Sequence, residues 1–402
     1  MTSLAVTGIR TLATCDESRG RGPLGLIDNA VVVSEERRVI YAGPAGAAAS
    51  LVASTAERFD VDGRCVMPGF VDSHTHLVFA GDRSGEFSLR MAGRPYQPGG
   101  ILETVAATRA ATPDLLAAHA GRLVRESLAT GTTTVEVKTG YGLDPEHEAL
   151  HLRIAARLTP EVTFLGAHLV PGTDRDGYLR LLIEEMVPAA AGVARWCDVF
   201  CEAGAFDVDE SRAVLQAAKA AGLGLRVHAN QLGPGGGVGL ACELGAASAD
   251  HCTHLAPADV EALAASATVA TLLPLSDFCT RQPYPDGRAL LDAGATVALA
   301  SNCNPGSSYS TSIPLVLALA VRECGLTLDE AVLAATRGGA AALRRTDIGN
   351  LGAGTRADLI VLDAPHPSHL VYRLGTPLVS MVVKDGGIAY SAASASASDS
   401  VG

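Results

Sequence analysis

The sequence contains no run of 18 apolar residues, so we expect no transmembrane helix. Its first residues, MTSLAVTGIRTLATCDE, lack a basic region followed by an apolar run, and we expect no secretory signal. Positive charge is also scarce: 31 basic residues against 43 acidic residues give a formal net charge of −12. Because proteins that bind phosphate backbones need a basic face, this charge argues against nucleic acid as a partner.

The nine cysteines contain no C-x-x-C pair, and their spacing is irregular. An odd number of scattered cysteines argues against a disulfide framework and favours reduced thiols in the cytoplasm. Cys197 and Cys201 have a spacing that metal-binding pairs also use, but no second pair accompanies them. We therefore interpret the cysteines as small buried apolar residues and expect a cytoplasmic protein.

Apolar residues make up 48% of the 402 residues and charged residues 18%, which is typical of a globular protein and not of a disordered one. Both ends of the chain predict β-structure. Strands are predicted in SLAVTGIRTLAT, NAVVVSEERRVIYAG and ERFDVDGRCVMPG near the start, and in GTRADLIVLDA and PLVSMVVKDGGIAY near the end. We expect a small β-sandwich domain from residues 1–65 and 355–390, followed by a disordered, low-complexity tail at 391–402.

Short apolar runs alternate with helical stretches through the middle of the chain. Alternation of strand and helix predicts parallel strands joined by crossover helices. Eight repeats favour an α/β fold with a closed (β/α)8 TIM barrel over residues 66–354, and the alternative is an open doubly wound sheet. No G-x-G-x-x-G follows an early strand, so the dinucleotide-binding form of the open sheet lacks support. The eight runs cover residues 67–74, 132–140, 162–168, 197–202, 223–229, 247–251, 268–274 and 296–302.

Polar residues collect where the predicted strands end, which is where a barrel of this kind places its reactive groups. Six of the 11 histidines lie at these ends or just beyond them. This grouping predicts an active site at the carboxyl edge of the sheet. The residues at the strand ends are His74, His76, Glu136, Lys138, Tyr141, His168, Glu202, His228, Asp250, His251 and Asn302.

The motif His74-Thr75-His76 predicts a metal site. Residues two apart in a strand face the same way, so both imidazoles can bind one ion. His228, at the end of the fifth predicted strand, offers a third nitrogen. Three neutral nitrogen ligands suit a catalytic Zn²⁺ with an open position, and iron is the alternative. Such an ion lowers the pKa of bound water towards ~7 and supplies a nucleophile for hydrolysis.

Several segments resemble one known family: GFVDSHTHLVFAGDRSGEF, GTTTVEVKTGYGL, LGAHLVP, RVHANQLGPGGG, SADHCTHL and NPGSS. From about residue 20 to 390 the chain resembles the imidazolonepropionases, a family of the amidohydrolase superfamily, and AGDR and KTGYG are not general marks of that superfamily. The resemblance implies a (β/α)8 barrel with a β-sandwich built from both termini. It also implies metal-dependent hydrolysis of the ring C–N bond of 4-imidazolone-5-propanoate to N-formimino-L-glutamate, a step of histidine degradation.

The resemblance also implies residue roles. His74, His76 and His228, with the residue at position 302, would bind one Zn²⁺, Fe²⁺ or Fe³⁺ ion per chain. His251 would orient or polarise the attacked group. Arg83 would hold the propionate, because a guanidinium fork matches a carboxylate bidentately. The alternative for Arg83 is a surface ion pair with Glu86. The substrate contacts would be Arg83, Tyr96, Tyr141, His168 on the ring, Gln231, Asn304, Gly306 and Ser307.

Two positions depart from the family pattern. Position 231 is often Glu in the family, serving proton transfer to the ring, and here it is Gln231, which cannot titrate. Position 302 is Asp in the family, as a metal ligand and as the base that takes the proton of water, and here it is Asn302. An amide oxygen can contact a metal but accepts no proton near neutral pH. Loss of a general base typically removes about 10²–10⁴-fold in rate, so Asn302 puts hydrolysis in question and leaves substrate binding intact.

Three interpretations follow from these departures. The chain is an imidazolonepropionase-like hydrolase that tolerates Asn302 with His251 as the base, a paralogue with altered chemistry or another cyclic substrate in specialised metabolism, or a catalytically impaired binding protein. The complete set of substrate-side residues favours the first interpretation, because a dead site would be free to lose them. In each case the expected partner is a small anionic cyclic molecule, with neither nucleic acid nor a membrane, and a homodimer is the assembly considered.

Overall fold

The structure is a computed structural model that describes residues 3–94 and 100–392. The predicted site residue Tyr96, and all but the first two residues of the predicted tail, lie outside the described residues. The described part is a mixed α/β protein with a curled parallel sheet and a second sheet built from both ends of the chain. Within these ranges, no helix combines the length and the apolar character that crossing a membrane requires.

The helices and strands alternate through the middle of the chain, as the sequence predicts. The strands are β1 (Ser3–Ala13), β2 (Leu26–Glu35), β3 (Arg38–Pro44), β4 (Glu57–Asp60), β5 (Cys65–Pro68), β6 (Phe70–Asp72), β7 (Thr132–Val135), β8 (Val137–Lys138), β9 (Val162–Ala167), β10 (Trp196–Cys201), β11 (Gly224–Ala229), β12 (Ser248–His251), β13 (Val269–Leu272), β14 (Val297–Leu299), β15 (Leu359–Leu362), β16 (Val379–Lys384) and β17 (Gly387–Ser391). The helices are α1 (Ala49–Ser54), α2 (Ser84–Met91), α3 (Ile101–Ala110), α4 (Pro113–Ala129), α5 (Pro145–Ala156), α6 (Arg175–Leu181), α7 (Val187–Ala190), α8 (Val208–Ala220), α9 (Gly237–Leu244), α10 (Pro257–Ala264), α11 (Pro274–Thr280), α12 (Gly287–Asp292), α13 (Ile313–Glu323), α14 (Leu328–Leu333), α15 (Gly339–Ala342) and α16 (His369–Tyr372). A π-helical turn joins α6 to α7, and another joins α14 to α15.

Strands from both ends of the chain form one eight-stranded sheet, in the order β17-β16-β15-β5-β1-β2-β3 with β4 paired to β1. The late strand β15 pairs antiparallel with the early strand β5. Alternate residues of β1 enter different apolar clusters: Leu4 and Val6 pack with Leu359, whereas Ala5 packs with Val31 beside α1. The two ends of the chain are thus held together by this sheet, and its packing as a sandwich stays a prediction.

The parallel strands follow one another in chain order from β6 to β14. They form a two-stranded sheet, β6-β7, and a seven-stranded sheet, β8 to β14. Only Glu136 separates β7 from β8, and its N–H donates to a carbonyl of β6. At the other edge the N–H of Asn302 donates to the carbonyl of His74 at 3.0 Å, and Thr75 pairs with Cys303 in a parallel bridge. This seam between the first and last strands brings residues from both to one place.

The strands of this sheet read as continuous apolar runs because both of their faces are buried. Every residue of Val162–Ala167 and of Trp196–Cys201 is buried. Some of the helices between these strands begin at side-chain caps: Asp207 and Glu210 form a capping box at the start of α8. Charged residues inside such strands are exceptions to the pattern, and they lie beneath the site described below.

The first predicted run, 67–74, is not one strand but two. It divides at Gly69, with β5 in the terminal sheet and β6 in the parallel sheet. A Cβ at Gly69 would clash with the side chain of Thr133, so glycine alone lets the chain pass between the sheets here. The last predicted run, 296–302, is a strand only over Val297–Leu299, and Asn302 beyond it adopts a left-handed φ of 52°.

Candidate active site

The carboxyl ends of the parallel strands surround one small cavity. Ten of the predicted site residues line it, together with Ile101 and Phe200, which sequence reasoning missed. The predicted ligand His74 lies fully buried beside it. The predicted residues in the lining are His76, Arg83, Tyr141, His168, Gln231, His228, His251, Asn302, Asn304 and Ser307.

Three histidines converge at the base of this cavity. The Nε2 atom of His76 lies 3.2 Å from Nε2 of His74 and 3.4 Å from Nε2 of His228. All three side chains are buried, and their ligand atoms lie within 4.8 Å of one another. The three rings are therefore within reach of one ion. We refer to them as the histidine cluster.

Two aspartates determine how the rings of this cluster point. Oδ2 of Asp250 lies 2.7 Å from Nδ1 of His74, and Oδ2 of Asp198 lies 3.0 Å from Nδ1 of His228, off the line of a hydrogen bond. A carboxylate beside Nδ1 keeps the proton on that nitrogen and leaves a lone pair on Nε2. The Nε2 lone pairs of His74 and His228 then lie 3.2 Å and 3.4 Å from Nε2 of His76, an arrangement that suits a cation between the three rings. The residues present therefore fit a metal ion.

The protonation states agree with this fit. Burial lowers the pKa of His74 and that of His76 well below their ordinary value, and nearby positive groups lower them further. Both rings are neutral at pH 7, which is the form in which imidazole binds a metal. Burial opposes ionisation of Asp250, but Arg226 and His74 hold the pKa of its carboxyl well below the usual range. The neutral imidazole of His74 thus lies against the ionised carboxylate of Asp250.

A buried charged layer lies beneath the histidine cluster; it consists of Glu136, Lys138, Asp198, Arg226 and Asp250, all fully buried. Nζ of Lys138 lies 2.8 Å from Oε1 of Glu136 and 2.8 Å from Oδ2 of Asp198. It also lies 3.6 Å from Oδ2 of Asp250, which in turn lies 3.3 Å from Nη2 of Arg226. Each charge in the layer thus has an opposite partner, as buried charges require.

Arg83 lies at the wall of the cavity and is buried, with 6% of its surface exposed. Its Nε donates to Oε2 of Glu86 at 2.7 Å, and Nη2 lies 2.6 Å from the same oxygen. The ion pair that was the alternative interpretation of Arg83 is therefore present. Glu86 lies at the Nε–Nη2 edge of the guanidinium, and no hydrogen bond to Nη1 is found among the described residues. Gly100 packs against Nη2 and Gly306 against Nη1, so closely that a Cβ at either would clash with the guanidinium.

His168 and Tyr141 form an aromatic wall beside the histidine cluster. Nδ1 of His168 lies 2.9 Å from the carbonyl of Gly140, so Nδ1 carries the proton and Nε2 is left as an acceptor. Burial lowers the pKa of His168 to about 4, so the ring is neutral. Its ring stacks on that of His76 at 5.7 Å, and the Tyr141 ring lies 5.4 Å from it.

The loop that carries Tyr141 is shaped by a buried carboxylate from the following helix. Oε1 of Glu148, in α5, accepts the N–H groups of Gly140 at 3.2 Å, Gly142 at 2.7 Å and Leu143 at 3.0 Å. Charge-assisted bonds of this kind are stronger than neutral ones. The position of Tyr141 therefore depends on Glu148.

Gln231 is held in a similar way. Oε2 of Glu202, at the end of β10, accepts the N–H groups of Gln231 at 2.8 Å and Leu232 at 3.0 Å. Asn304, a predicted substrate contact, instead shapes its own loop: its Oδ1 accepts the N–H groups of Gly306 and Ser307, each at 2.8 Å. The backbone of each loop is thus held by a side chain of the protein, Glu202 in the first loop and Asn304 in the second.

His251 ends β12 with a left-handed φ of 79°. Its ring lies 5.3 Å from that of His228, and its Nδ1 is buried without a hydrogen-bond partner among the described residues. Burial lowers its pKa well below the ordinary value, so the ring is neutral, and a neutral imidazole has one nitrogen lone pair.

Comparison with known proteins agrees with this geometry. The model of the amidohydrolase family matches residues 65–389. An imidazolonepropionase from Salinispora tropica is 58% identical over 391 residues, which cover 96% of this chain and 98% of the relative. One from Mycolicibacterium smegmatis is 56% identical over 393 residues, or 97% of this chain and 98% of the relative. The chain belongs to the imidazolonepropionase family.

Solved structures similar to this family member share its fold. Atrazine chlorohydrolase TrzN from Arthrobacter aurescens, complexed with zinc, has a TM-score of 0.72 at 19% identity, covering 96% of this chain and 94% of the other. An adenosine deaminase from Xanthomonas campestris with bound zinc has a TM-score of 0.74 at 17% identity, covering 99% and 97%. At such low identity the likeness concerns the fold alone.

Asn302, where the resemblance leads us to expect Asp, lies at the seam between the first and last parallel strands. Its Nδ2 lies 3.4 Å from the hydroxyl of Ser307, and its Oδ1 is buried without a hydrogen-bond partner among the described residues. Asp72 fixes the adjacent residue Ser301 by accepting its N–H at 3.0 Å and its hydroxyl at 2.5 Å. The side chain at position 302 is therefore held at the cavity, with an oxygen that still lacks a partner.

Proposed function

We propose that this chain is an imidazolonepropionase that hydrolyses the ring C–N bond of 4-imidazolone-5-propanoate to N-formimino-L-glutamate. As a member of this family the chain is a hydrolase acting on C–N bonds. The observation that carries the proposal is that the histidine cluster and the guanidinium of Arg83 lie at one cavity. The alternatives, a paralogue with other chemistry or a binding protein, gain no support from relatives that are 56–58% identical over nearly the whole chain.

We also infer that the curled sheet is a closed (β/α)8 barrel, over residues 66–354, and that residues 1–65 and 355–390 form a β-sandwich beside it. Hydrogen bonds across the seam between the first and last parallel strands support the barrel. Leu4 and Val6 belong to one apolar cluster, and Ala5, on the other face of β1, belongs to another. Two clusters on opposite faces support packing on both sides of the terminal sheet.

His74, His76 and His228 would hold the metal ion, with the amide oxygen of Asn302 as a fourth candidate ligand. When bound, a divalent ion makes water a nucleophile at neutral pH. Zinc is the ion named in the two similar solved structures described above, and imidazole ligands suit zinc and iron alike. The proposal is one Zn or Fe ion per chain.

The other residues would bind the substrate and move protons. The Nη1–Nη2 edge of Arg83 would take the propionate carboxylate, and Tyr141 and His168 would hold the ring. Ile101 and Phe200 would exclude water from it. Since Asn302 cannot accept a proton, we assign the base to the neutral His251.

In this reaction the proton moves from the attacking water to His251, and from His251 to the ring nitrogen as the C–N bond breaks. Gln231 would contribute a hydrogen bond without titrating. The test is to mix metal-loaded protein with 4-imidazolone-5-propanoate, following loss of the ring absorbance and formation of N-formimino-L-glutamate. A protein that binds the compound and leaves it intact would support the binding-protein alternative, and one that does not bind it contradicts the proposal.

Metal binding should stabilise the fold through the histidine cluster. At a free Zn²⁺ concentration 100 times the Kd, binding is expected to raise the free energy of unfolding by about 2.7 kcal/mol, because the unfolded chain lacks the site. Thermal unfolding of the chelator-treated protein, with and without added Zn²⁺, measures this. The rise in unfolding temperature on adding Zn²⁺ should vanish in His76→Ala and persist in His366→Ala. A shift that survives His76→Ala would place the ion elsewhere.

Glu148 is expected to control substrate affinity through the Tyr141 loop. Glu148→Gln removes the charge that three N–H groups share, a loss of about 1.5–3 kcal/mol, and should raise KM several-fold with little change in kcat. Glu146→Gln changes an exposed carboxylate of the same helix and should leave KM unchanged. Steady-state kinetics of both variants measure the difference, and equal KM values would argue that the loop keeps its shape without Glu148.

A further inference from the structure

A cation made by the protein itself lies beneath the histidine cluster. The ammonium of Lys138 is surrounded by three carboxylates, with Nζ 2.8 Å from Glu136, 2.8 Å from Asp198 and 3.6 Å from Asp250. None of these side chains is exposed to solvent. Three inward-facing carboxylates around one positive group make a cation site that is already filled.

Two of these carboxylates, those of Asp198 and Asp250, belong to a second group with the geometry of a metal site. The ligand atoms of His74, Asp198 and Asp250 all lie within 4.8 Å of one another. This group shares His74 with the histidine cluster, so the two sites are adjacent. The histidine cluster suits a metal ion, whereas the ammonium of Lys138 lies at the second group.

The buried cations reduce the negative charge that a second metal ion would need. Three carboxylates face two cations in the buried charged layer, so Lys138 and Arg226 already offset two of the three negative charges. Arg226 cannot move to take the place of Lys138, because Nη1 donates to the carbonyl of Ala342 and Nη2 to that of Ser73, each at 2.8 Å. Without the ammonium, the three carboxylates would face only one cation, the guanidinium of Arg226.

We propose that the ammonium of Lys138 occupies a latent second metal site, formed by Glu136, Asp198 and Asp250, and thereby limits this centre to one metal ion. The inference rests on the metal centre of the proposed function. The same ammonium holds Asp198 and Asp250 against the outer nitrogens of His228 and His74. Lys138 is thus a positioning residue for the metal ligands.

The experiment is a titration of the metal-free, full-length chain with Zn²⁺ and with Co²⁺ alone, with bound metal measured after equilibrium dialysis. The wild-type chain should bind one ion. Lys138→Ala, which removes both the charge and the volume of the side chain, should bind two. Lys138→Arg keeps a cation among the carboxylates and should bind one. Circular dichroism checks that each variant is folded.

The inference is overturned if folded Lys138→Ala binds only one ion when the free metal concentration is about 100 times that which saturates the first site. So does a second ion in the wild-type chain or in Lys138→Arg. If Lys138→Ala folds only when metal is present, refolding should require two equivalents of Zn²⁺, and a requirement for one overturns the inference. A wild-type chain that binds no ion would instead overturn the proposed metal centre, and this inference with it.

Discussion

Replacing Asn302 by Asp is expected to raise kcat on 4-imidazolone-5-propanoate by about 10²-fold or more, the usual worth of a positioned base. The side chain at this position is buried at the cavity, and its Oδ1 has no donor among the described residues. An aspartate of the same shape adds negative charge beside the neutral histidine cluster and accepts a proton. KM should change much less, because Arg83 and Tyr141 are untouched. Steady-state kinetics of the metal-loaded wild-type chain and variant measure both constants.

The matched control is Asn304→Asp, two residues along the same loop. The amide of Asn304 is already engaged by the N–H groups of Gly306 and Ser307, so a carboxylate there should give no gain in kcat. If the unmodified chain already turns over at an ordinary rate, His251 suffices as the base and the expected gain is absent. If Asn302→Asp binds its metal and stays inert, the pocket serves another substrate.

Arg83→Ala is expected to raise KM by about 10²-fold, because the substrate carboxylate loses two charge-assisted hydrogen bonds. Arg83→Lys keeps the charge without the fork, and its KM should be intermediate. Arg281→Ala removes an exposed arginine that contacts the end of α2 and should leave KM unchanged. The measurement is KM for each variant under metal-saturated conditions.

A substrate analogue without the carboxylate makes the test of Arg83 sharper. The wild-type chain should prefer the carboxylate-bearing compound, and Arg83→Ala should lose that preference because the analogue never used the guanidinium. Unchanged binding of 4-imidazolone-5-propanoate to Arg83→Ala would show that the carboxylate is recognised elsewhere, and Arg83 would then be only the partner of Glu86.

The parallel strands and the position of the site could be predicted from the sequence because both depend on local periodicity. Strands buried on both faces appear as apolar runs, and the carboxyl ends of parallel strands meet at one edge. Two-residue spacing places His74 and His76 on one face, and parallel order brings His228 to them. The structure brings these three rings within contact of one another.

The buried charged layer could not be predicted, because each of its members is defined by a partner on another strand. The sequence placed Lys138 and Asp250 at strand ends without a role, and Asp198 and Arg226 went unnoticed inside WCDVFC and GLRVHA. A charged residue in a strand that is otherwise apolar was the available signal. Which charges meet depends on strand register, and a single sequence does not contain that information.

The role of the loop carboxylates was missed for a related reason, although Glu202 was named among the residues at the strand ends. Glu148 and Glu202 act on backbone N–H groups, and any residue can supply such a group. Sequence motifs record side chains, so the partners of these carboxylates leave no trace in the sequence. The division of the first run at Gly69 was also missed, because it depends on the approach of Thr133 from another strand.

The seam between the first and last parallel strands has a consequence for the order in which the protein folds. Ser301 bonds to Asp72 across 229 residues of chain, and Asn302 reaches His74 through the same seam. Contacts between such distant residues form late, since closing a long loop costs entropy before the contact repays it. A nascent chain that ends before residue 301 already contains all three cluster histidines but cannot complete the cavity. Catalytic competence therefore arises only when the last strand docks, after nearly three quarters of the polypeptide has been made.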